Sequence, residues 1–345
     1  MTFDELLSTF EPKLAAAFRE AIESIKSTIV LKVVVERLER GDVEGAIAAM
    51  QLDAEAFASL EIAFAEAYNA GGINEVANLP KLKDPSGGRV VFRFGVRNPE
   101  AERFLREHSA QMVTRIVEDQ LVAVRAALVE GLTRGKNPTA TALDVIGRMS
   151  NVTRRREGGI IGLTSPQERF IATARAELLS GDPAQMRHYL TRERRDKRFD
   201  RTVAAAIKAG KPVALDDVAR MVGRYSDRML QLRGEMLART ETMIALATAR
   251  DHAIRQQIDA GKLVEGDVKK KWRTASDSRV RHTHRILNGQ AVEMNGTFVG
   301  PSGATLRYPG DPEAPVSEII GCRCFLQYKV DYLASVVRRF RAEAV

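Results

Sequence analysis

Residues 239–328 decide the fold of this chain, because rare residues and turn signals are concentrated there in a fixed order. The stretch contains KKW (270–272), SDSRVRHTHRILNGQ (276–290), LRYPGDP (306–312) and GCRC (321–324). It holds the only tryptophan and both cysteines of the chain. KKWRTA and GCRCFLQYKV are typical of strands, and the Asn-Gly and Pro-Gly sequences favour tight turns. The stretch therefore predicts a small α+β domain.

The rest of the sequence is typical of one helix after another. Between residues 3 and 25 apolar residues recur every three or four positions, and residues 53–69 and 164–261 are also predicted to be helical. An aromatic content of 6% beside 44% hydrophobic residues favours helical packing over an aromatic-rich β protein. We therefore expect a mainly α protein with an elongated helical body and a small α+β C-terminal domain.

Charge is divided unevenly along the chain. The first 80 residues have a net charge of −8, so the remainder carries +16 to give the total of +8. A basic body with an acidic arm favours an anionic polymer as partner of the body and a basic or apolar surface as partner of the arm. Solvated helix faces are the alternative explanation. No apolar run approaches the roughly 20 residues of a membrane span, so no membrane partner is expected.

Turn and linker signals divide the chain into four expected segments. RVVFRFGV (89–96) predicts an edge strand or hairpin, and Asn98-Pro99 and Asn137-Pro138 each predict a helix start. The basic, glycine-containing stretch 151–163 marks the main boundary. The expected segments are an acidic helical arm (1–80), a strand or hairpin with a helical segment (81–150), a basic helical body (151–261) and the small α+β domain with a terminal helix (262–345).

The run RERRDKRFDR (192–201) is the densest cluster of charge in the sequence. Its arginines and acids stand three or four positions apart, which favours a self-paired, solvated helix. A helix face that contacts DNA phosphates is the alternative. The candidate DNA-contacting residues are Arg192, Arg194, Arg195, Lys197, Arg198 and Arg201.

Asp277, His284, Cys322 and Cys324 are a candidate structural zinc site. If residues 277–287 form one helix, Asp277 and His284 lie on one side of it, because seven residues make nearly two turns. Cys322 and Cys324 share a face if they lie in a strand. Two thiolates, an imidazole and a carboxylate suit tetrahedral zinc.

Two buried thiols, with Asp277 paired to Arg281 in a structural network, are the alternative to a zinc site. On a helix His282 would lie about 200° from His284 and so face away from it. The sequence shows no glycine-bounded nucleophile turn, phosphate loop or helical His-Glu-x-x-His pattern. We therefore predict no enzymatic activity and no small-molecule substrate.

The motifs of this stretch resemble the phage Mu F-like minor head proteins, also called phage head morphogenesis proteins. Their order and spacing carry the resemblance, which is strong over about 239–328 and weaker back to about 160. Gly321 departs from the pattern, since the family usually has Asn there. The matching positions are Arg239-Thr240-Glu241, Trp272, Asp277, Arg281, His284, Leu287-Asn288-Gly289-Gln290, Phe298, Pro309-Gly310-Asp311-Pro312 and Cys322-Arg323-Cys324.

The resemblance implies a structural minor head protein of a tailed bacteriophage, made in the host cytoplasm and located inside the capsid near the portal vertex. It would act in head morphogenesis and in DNA packaging or ejection. The implied partners are the portal protein, scaffold or major capsid protein, and double-stranded DNA bound non-specifically. A metal-stabilised DNA-binding module outside a virion, or a toxin-like or hydrolytic domain, are the other functional hypotheses.

Overall fold

Helices make up 63% of the chain. The structure, a computed structural model, describes residues 1–84, 86–95 and 98–343. Within these residues no helix is long and apolar enough to cross a membrane. The expectation of a mainly α protein is confirmed. The described helices are α1 (Phe3–Thr28), α2 (Leu31–Glu39), α3 (Val43–Ala48), α4 (Ala58–Ala77), α5 (Pro99–Thr133), α6 (Pro138–Ile146), α7 (Ser165–Leu179), α8 (Pro183–Thr191), α9 (Asp200–Ala209), α10 (Leu215–Asp259), α11 (His282–Leu287), α12 (Val316–Ile319) and α13 (Tyr332–Glu343).

Short strands, most of them near the C-terminus, make up the β part. The described strands are β1 (Arg148–Met149), β2 (Arg156–Glu157), β3 (Val268–Thr274), β4 (Ala291–Glu293), β5 (Phe298–Val299), β6 (Thr305–Leu306) and β7 (Cys324–Val330). β3 is the middle strand of an antiparallel sheet with the order β4-β3-β7, and β5 pairs with β6. Trp272 pairs with Leu326 and Thr274 with Cys324. The small α+β C-terminal part is therefore confirmed.

The chain folds into two compact units that are not continuous in sequence. Unit 1 contains residues 1–15, 60–109 and 235–345, and unit 2 contains residues 16–59 and 110–234. This division differs from the four consecutive segments expected from the sequence. The reason is that the long helices α1, α4, α5 and α10 contribute residues to both units.

Unit 2 has a helical core that includes the glycine-containing stretch predicted to be a linker. Ile160, Ile161 and Leu163 of that stretch are buried. Lys26 is also buried and donates a hydrogen bond from Nζ to the carbonyl oxygen of Gly158 (2.7 Å). The second part of the stretch is therefore anchored in the core by three apolar side chains, whereas residues 151–155 are exposed.

The first helix of the chain packs within unit 1 through its N-terminal residues. Phe3 stacks on Phe325 of β7 with ring centroids 5.7 Å apart. In the same unit the Tyr68 hydroxyl lies 2.6 Å from Nδ1 of His252, so α4 is joined to α10. The prediction of a separate acidic arm is wrong for these residues, since they pack against the C-terminal strands and α10.

Four acidic side chains from the first 80 residues form ion pairs with basic residues from the remainder of the chain. In unit 1, Arg239 pairs with Glu11, and Arg250 pairs with Glu75 at 2.5 Å. In unit 2 the corresponding pairs are Arg155 with Glu23 and Arg125 with Glu44. The acidic N-terminal residues therefore neutralise basic residues of the same molecule.

The segment predicted as an edge strand or hairpin pairs with preceding residues only at its start, where the Val90 N–H donates to the Leu82 carbonyl oxygen, and none of its described residues belongs to a strand. Among its described residues, 89–95, Arg89 forms an isolated bridge with Lys83, and Val96 lies outside the described residues. Gln257 accepts a hydrogen bond from the Arg93 backbone N–H and donates one to the Arg93 carbonyl oxygen. Gln256 pairs with Gly95 in the same way. The side chains of α10 thus replace a partner strand, which the sequence pattern does not reveal.

The two predicted Asn-Pro helix starts are present. The Asn98 side chain accepts hydrogen bonds from the backbone N–H groups of Glu100 and Ala101 at the start of α5. Asn137 does the same for Thr139 and Ala140 at the start of α6. Proline fits the first helical position because its missing N–H would have no partner there.

Candidate metal centre

The pairing of β3 with β7 brings His284, Cys322 and Cys324 together. His284 lies in α11, which follows β3, and Cys324 is the first residue of β7, opposite Thr274. Cys322 lies in the loop just before that strand. The three residues come from two segments separated by about forty positions, and each is 1% exposed.

The three side chains converge on one nitrogen of the imidazole ring. His284 Nδ1 lies 3.5 Å from Cys322 Sγ and 3.4 Å from Cys324 Sγ. All three potential ligand atoms lie within 4.8 Å of one another. With Zn–S bonds of about 2.3 Å and Zn–N bonds of about 2.0 Å, tetrahedral angles place sulfur and nitrogen about 3.5 Å apart. The observed spacings match that value, so the three side chains could hold a zinc ion.

Glu318 of α12 faces the other nitrogen of the same ring. Its Oε2 lies 2.9 Å from His284 Nε2, although the approach lacks hydrogen-bond geometry. The carboxylate is buried and accepts hydrogen bonds from Thr283 Oγ1 (3.0 Å) and Ser302 Oγ (3.3 Å). A carboxylate placed behind a metal-ligating histidine fixes its orientation and tautomer. Nothing in the sequence around Glu318 marks it as part of the site.

Aromatic side chains enclose the cluster on the side of the sheet. The Trp272 ring meets the His284 ring edge to face, with centroids 5.2 Å apart, and meets Phe298 in the same way at 5.1 Å. Trp272 and Phe298 are both buried. Trp272 and Phe298 therefore belong to the core of the small domain.

The two thiols influence each other strongly. Hydrogen bonds from the Cys324 thiol and from His284 hold the pKa of Cys322 well below its usual range. The pKa of Cys324 is raised by its hydrogen bond to Cys322, by burial and by the repulsion of the negative charge on Cys322. Both cysteines are free thiols.

Asp277 does not join the cluster, and this corrects the four-residue set predicted from the sequence. Residues 277–280 form a turn, and α11 begins only at His282, so Asp277 and His284 do not share a helix face. Asp277 instead forms an ion pair with Arg323 (Nη2–Oδ2 2.5 Å) and accepts a hydrogen bond from the Arg279 N–H. Hydrogen bonding to Arg323 lowers the pKa of the Asp277 carboxyl.

The alternative pairing of Asp277 with Arg281 is also absent from the structure. The Arg281 guanidinium donates hydrogen bonds to the carbonyl oxygens of Ser317 and Ile320, which flank Glu318. His282 is exposed, as expected for a residue that faces away from His284. Arg281 therefore helps to hold the segment that carries Glu318.

This region of the chain is similar to phage proteins. A family described as Phage Mu protein F like protein matches residues 197–327. We call residues 197–327 the Mu F-like region, after the family that they resemble. The chain is also similar to Minor head protein GP7 of Bacillus phage SPP1, with 32% identity over 104 residues. That match covers 28% of this chain and 33% of the phage SPP1 protein, so the chain spans about a third of that relative. No solved structure matches the chain.

The Arg-Thr-Glu motif of the Mu F-like region connects α10 to the cysteine segment. The Arg239 guanidinium lies 3.4 Å from the Cys322 carbonyl oxygen and pairs with Glu11. The Thr240 hydroxyl accepts a hydrogen bond from the Gly321 N–H (3.2 Å). Glu241 contacts Nε2 of His108 at 2.7 Å. All three motif residues therefore have structural roles.

The backbone conformation at Gly321 explains why glycine can stand where the family pattern has Asn. Its φ angle is +62°, in the left-handed region. Glycine occupies that region without strain, and asparagine is enriched there several-fold among other residues. The position is thus selected by backbone conformation, and the backbone N–H makes the contact to Thr240.

Asp311 organises the Pro-Gly-Asp-Pro loop of the Mu F-like region. Its carboxylate accepts hydrogen bonds from the Arg307 backbone N–H (2.9 Å) and guanidinium (2.6 and 3.0 Å) and from the Glu313 N–H (3.1 Å). The loop is stabilised by Tyr308, which is buried and donates to the Thr248 hydroxyl.

Most of the guanidinium groups of the 192–201 run are paired with acids. Arg192 binds Glu177 through two hydrogen bonds of 2.8 Å, and Arg195 binds Asp200. The segment is a turn and a short 3-10 helix before α9, so the predicted pairing along one continuous helix is wrong.

Buried Asp196 is the centre of this run. Arg198 binds it at 2.7 Å, and Arg224 and Arg228 of α10 each lie 3.7 Å from its oxygens. Hydrogen bonding to Arg198 lowers the pKa of Asp196 to about 2. Lys197, Arg198 and Arg201 are exposed, whereas Arg194 is half-buried.

Proposed function

We propose that this protein is a minor head protein of a tailed bacteriophage that lies inside the capsid at the portal vertex and acts in head morphogenesis and in DNA packaging or ejection. The observation that carries the proposal is the Mu F-like region at residues 197–327. A relative of that region is named as a minor head protein. The family favours a structural role over a catalytic one.

The contacts of the family motif are consistent with a structural role. The Arg-Thr-Glu motif, Trp272, the Pro-Gly-Asp-Pro loop and the Asp277–Arg323 pair all take part in packing or hydrogen bonding within unit 1. The residues of the family motif thus stabilise the fold of unit 1.

The proposal is tested in the phage itself. A stop codon placed in the gene should yield heads that lack this protein and are defective in assembly or in DNA content, and wild-type protein supplied in trans should restore them. Mass spectrometry of purified heads measures incorporation. If heads purified from the wild-type phage contain none of this protein, the proposal is contradicted.

Portal association is measured by co-expression with the portal protein of the same phage. We expect the two proteins to copurify, and the Val299→Ala variant, which changes one exposed side chain, should copurify equally well. Deletion of residues 1–80 is unsuitable, because buried residues such as Phe18 belong to the core. Absence of copurification at low and moderate salt would remove portal association from the proposal.

Non-specific binding to duplex DNA is a second part of the proposal. Exposed Lys197 and Arg201 are the candidates in the 192–201 run whose charges best suit phosphate contacts. Replacing both with Ala should reduce the salt dependence of DNA retention by about 2 in the log–log slope, since each phosphate contact contributes about 1. Lys208→Ala with Lys211→Ala removes two exposed charges nearby and is the matched control. An equal effect of both double variants would show that the run has no special role.

A further inference from the structure

We propose that His284, Cys322 and Cys324 bind one zinc ion, with Glu318 as the residue that positions His284 and with a water molecule as the fourth ligand. The inference is independent of the proposed head function. It rests on the arrangement of four buried side chains from three segments of unit 1.

The donor set selects the metal by its chemistry. Two thiolates and an imidazole are soft to borderline ligands, which suit zinc and do not suit magnesium or calcium. The Sγ–Nδ1 distances of 3.4 and 3.5 Å equal the edge of a tetrahedral zinc site. Simple packing of two thiols beside a histidine does not require both sulfur atoms to meet the same nitrogen.

The environment of the imidazole supports its role as a ligand. Nδ1 faces the two sulfur atoms, and Nε2 faces the Glu318 carboxylate at 2.9 Å. Thr283 and Ser302 hold that carboxylate by hydrogen bonds, and Arg281 holds the backbone on either side of it. A carboxylate on one side of the imidazole and the metal site on the other is the arrangement that orients a histidine toward a metal.

The fourth ligand comes from outside these three side chains. Among the residues that the structure describes, no further His, Cys, Asp or Glu atom lies within 4.8 Å of all three ligand atoms. Cys324 helps to line a cavity of about 310 Å³ together with Asp277 and Arg323. Zinc sites with three protein ligands complete their tetrahedron with water, and in our proposal the water molecule would reach the ion from this cavity.

The binding of zinc would join segments that are distant in sequence. His284 follows β3, whereas the cysteines lie at the start of β7, and the backbone around Cys322 is already held by Arg239 and Thr240. Binding free energy at such a site adds directly to folding free energy, because the unfolded chain has no preformed site. The ion would therefore stabilise the β4-β3-β7 sheet.

The first experiment needs no mutation. The full-length protein, purified after expression in medium with added zinc, should contain about one zinc per chain by inductively coupled plasma mass spectrometry. X-ray absorption at the zinc edge should show two sulfur ligands at about 2.3 Å and two nitrogen or oxygen ligands at about 2.0 Å. Less than one tenth of an ion per chain, another metal in its place, or a shell without sulfur would overturn the proposal.

Variants then test each residue. Cys324→Ser and His284→Gln should lose the zinc. Glu318→Gln should keep one ion but bind it with 10- to 100-fold lower affinity, measured by competition with a chelator. Asp277→Asn and His282→Gln are the matched controls and should keep zinc with unchanged affinity. If Asp277→Asn releases zinc as Cys324→Ser does, the assignment of ligands is wrong. If a ligand variant fails to fold, X-ray absorption at the zinc edge of the wild-type protein still shows whether two sulfur atoms bind the ion.

Discussion

Replacement of Phe298 by Ala should strongly destabilise unit 1. Phe298 is 1% exposed and packs edge to face on Trp272. Loss of its burial costs about 1.5–3 kcal/mol, and loss of the aromatic pair costs about 0.5–1.5 kcal/mol more. Their sum, about 2–4.5 kcal/mol, agrees with the roughly 3–5 kcal/mol measured for Phe→Ala substitutions in protein cores.

Urea unfolding measures this cost. Trp272 is the only tryptophan of the chain, so its fluorescence reports on the packing around Phe298. With a slope of about 2–3 kcal/mol per M, the midpoint should fall by roughly 1–2 M. Far-UV circular dichroism, recorded in parallel, shows whether the helices of the chain unfold in the same transition.

The neighbouring residue provides a matched control for this prediction. Val299 lies on the same short strand and is 57% exposed. Val299→Ala should change stability by less than about 0.5 kcal/mol, and Phe298→Leu, which keeps most of the volume, should cost about 1 kcal/mol. A cost below 1 kcal/mol for Phe298→Ala, or equal costs at the two positions, would refute the proposed packing.

Two further predictions concern unit 2 and the turns. Because the pKa of Asp196 is lowered to about 2, its stabilising effect is present above about pH 4 and is lost as the pH falls toward 2. Asp196→Asn should therefore lower the urea midpoint at pH 7, and the difference from wild type should shrink between pH 4 and pH 2; a difference independent of pH would contradict this. Gly159→Ala should cost more than 2 kcal/mol by thermal unfolding, because an added Cβ would lie 2.5 Å from the Val145 carbonyl oxygen. Gly289 has a similar φ angle but open space around it, so Gly289→Ala should cost only about 1 kcal/mol; equal losses would argue against the close approach.

The segments predicted most accurately were those with strong local signals. Asn98 and Asn137 cap their helices as expected, because a cap depends on the few residues that follow it. The strand around Trp272 was also predicted, because the residues next to Trp272 are typical of a strand. Local sequence is sufficient for such features.

The candidate metal site was only partly predicted. Both sulfur atoms meet the same nitrogen of His284 as the spacing predicts, although Cys322 lies in the loop before β7 and not in the strand that the prediction assumed. Asp277 was assigned wrongly because α11 begins five residues later than the sequence suggested, and a change in helix start alters which side chains share a face. Glu318 lies 34 residues beyond His284, so only tertiary packing could reveal it.

Short-range sequence patterns are sufficient to predict the helical class, the helix caps, the turn-rich C-terminal domain and the family that residues 197–327 resemble. These depend on short-range periodicity and on motif order, which are encoded along the chain. Tertiary structure alone decided that the acidic N-terminus pairs with Arg239 and Arg250, that the units combine distant segments, and that Cys324 meets His284 and Cys322. These contacts join residues separated by up to hundreds of positions, and their formation depends on how long helices pack, which local sequence patterns do not specify.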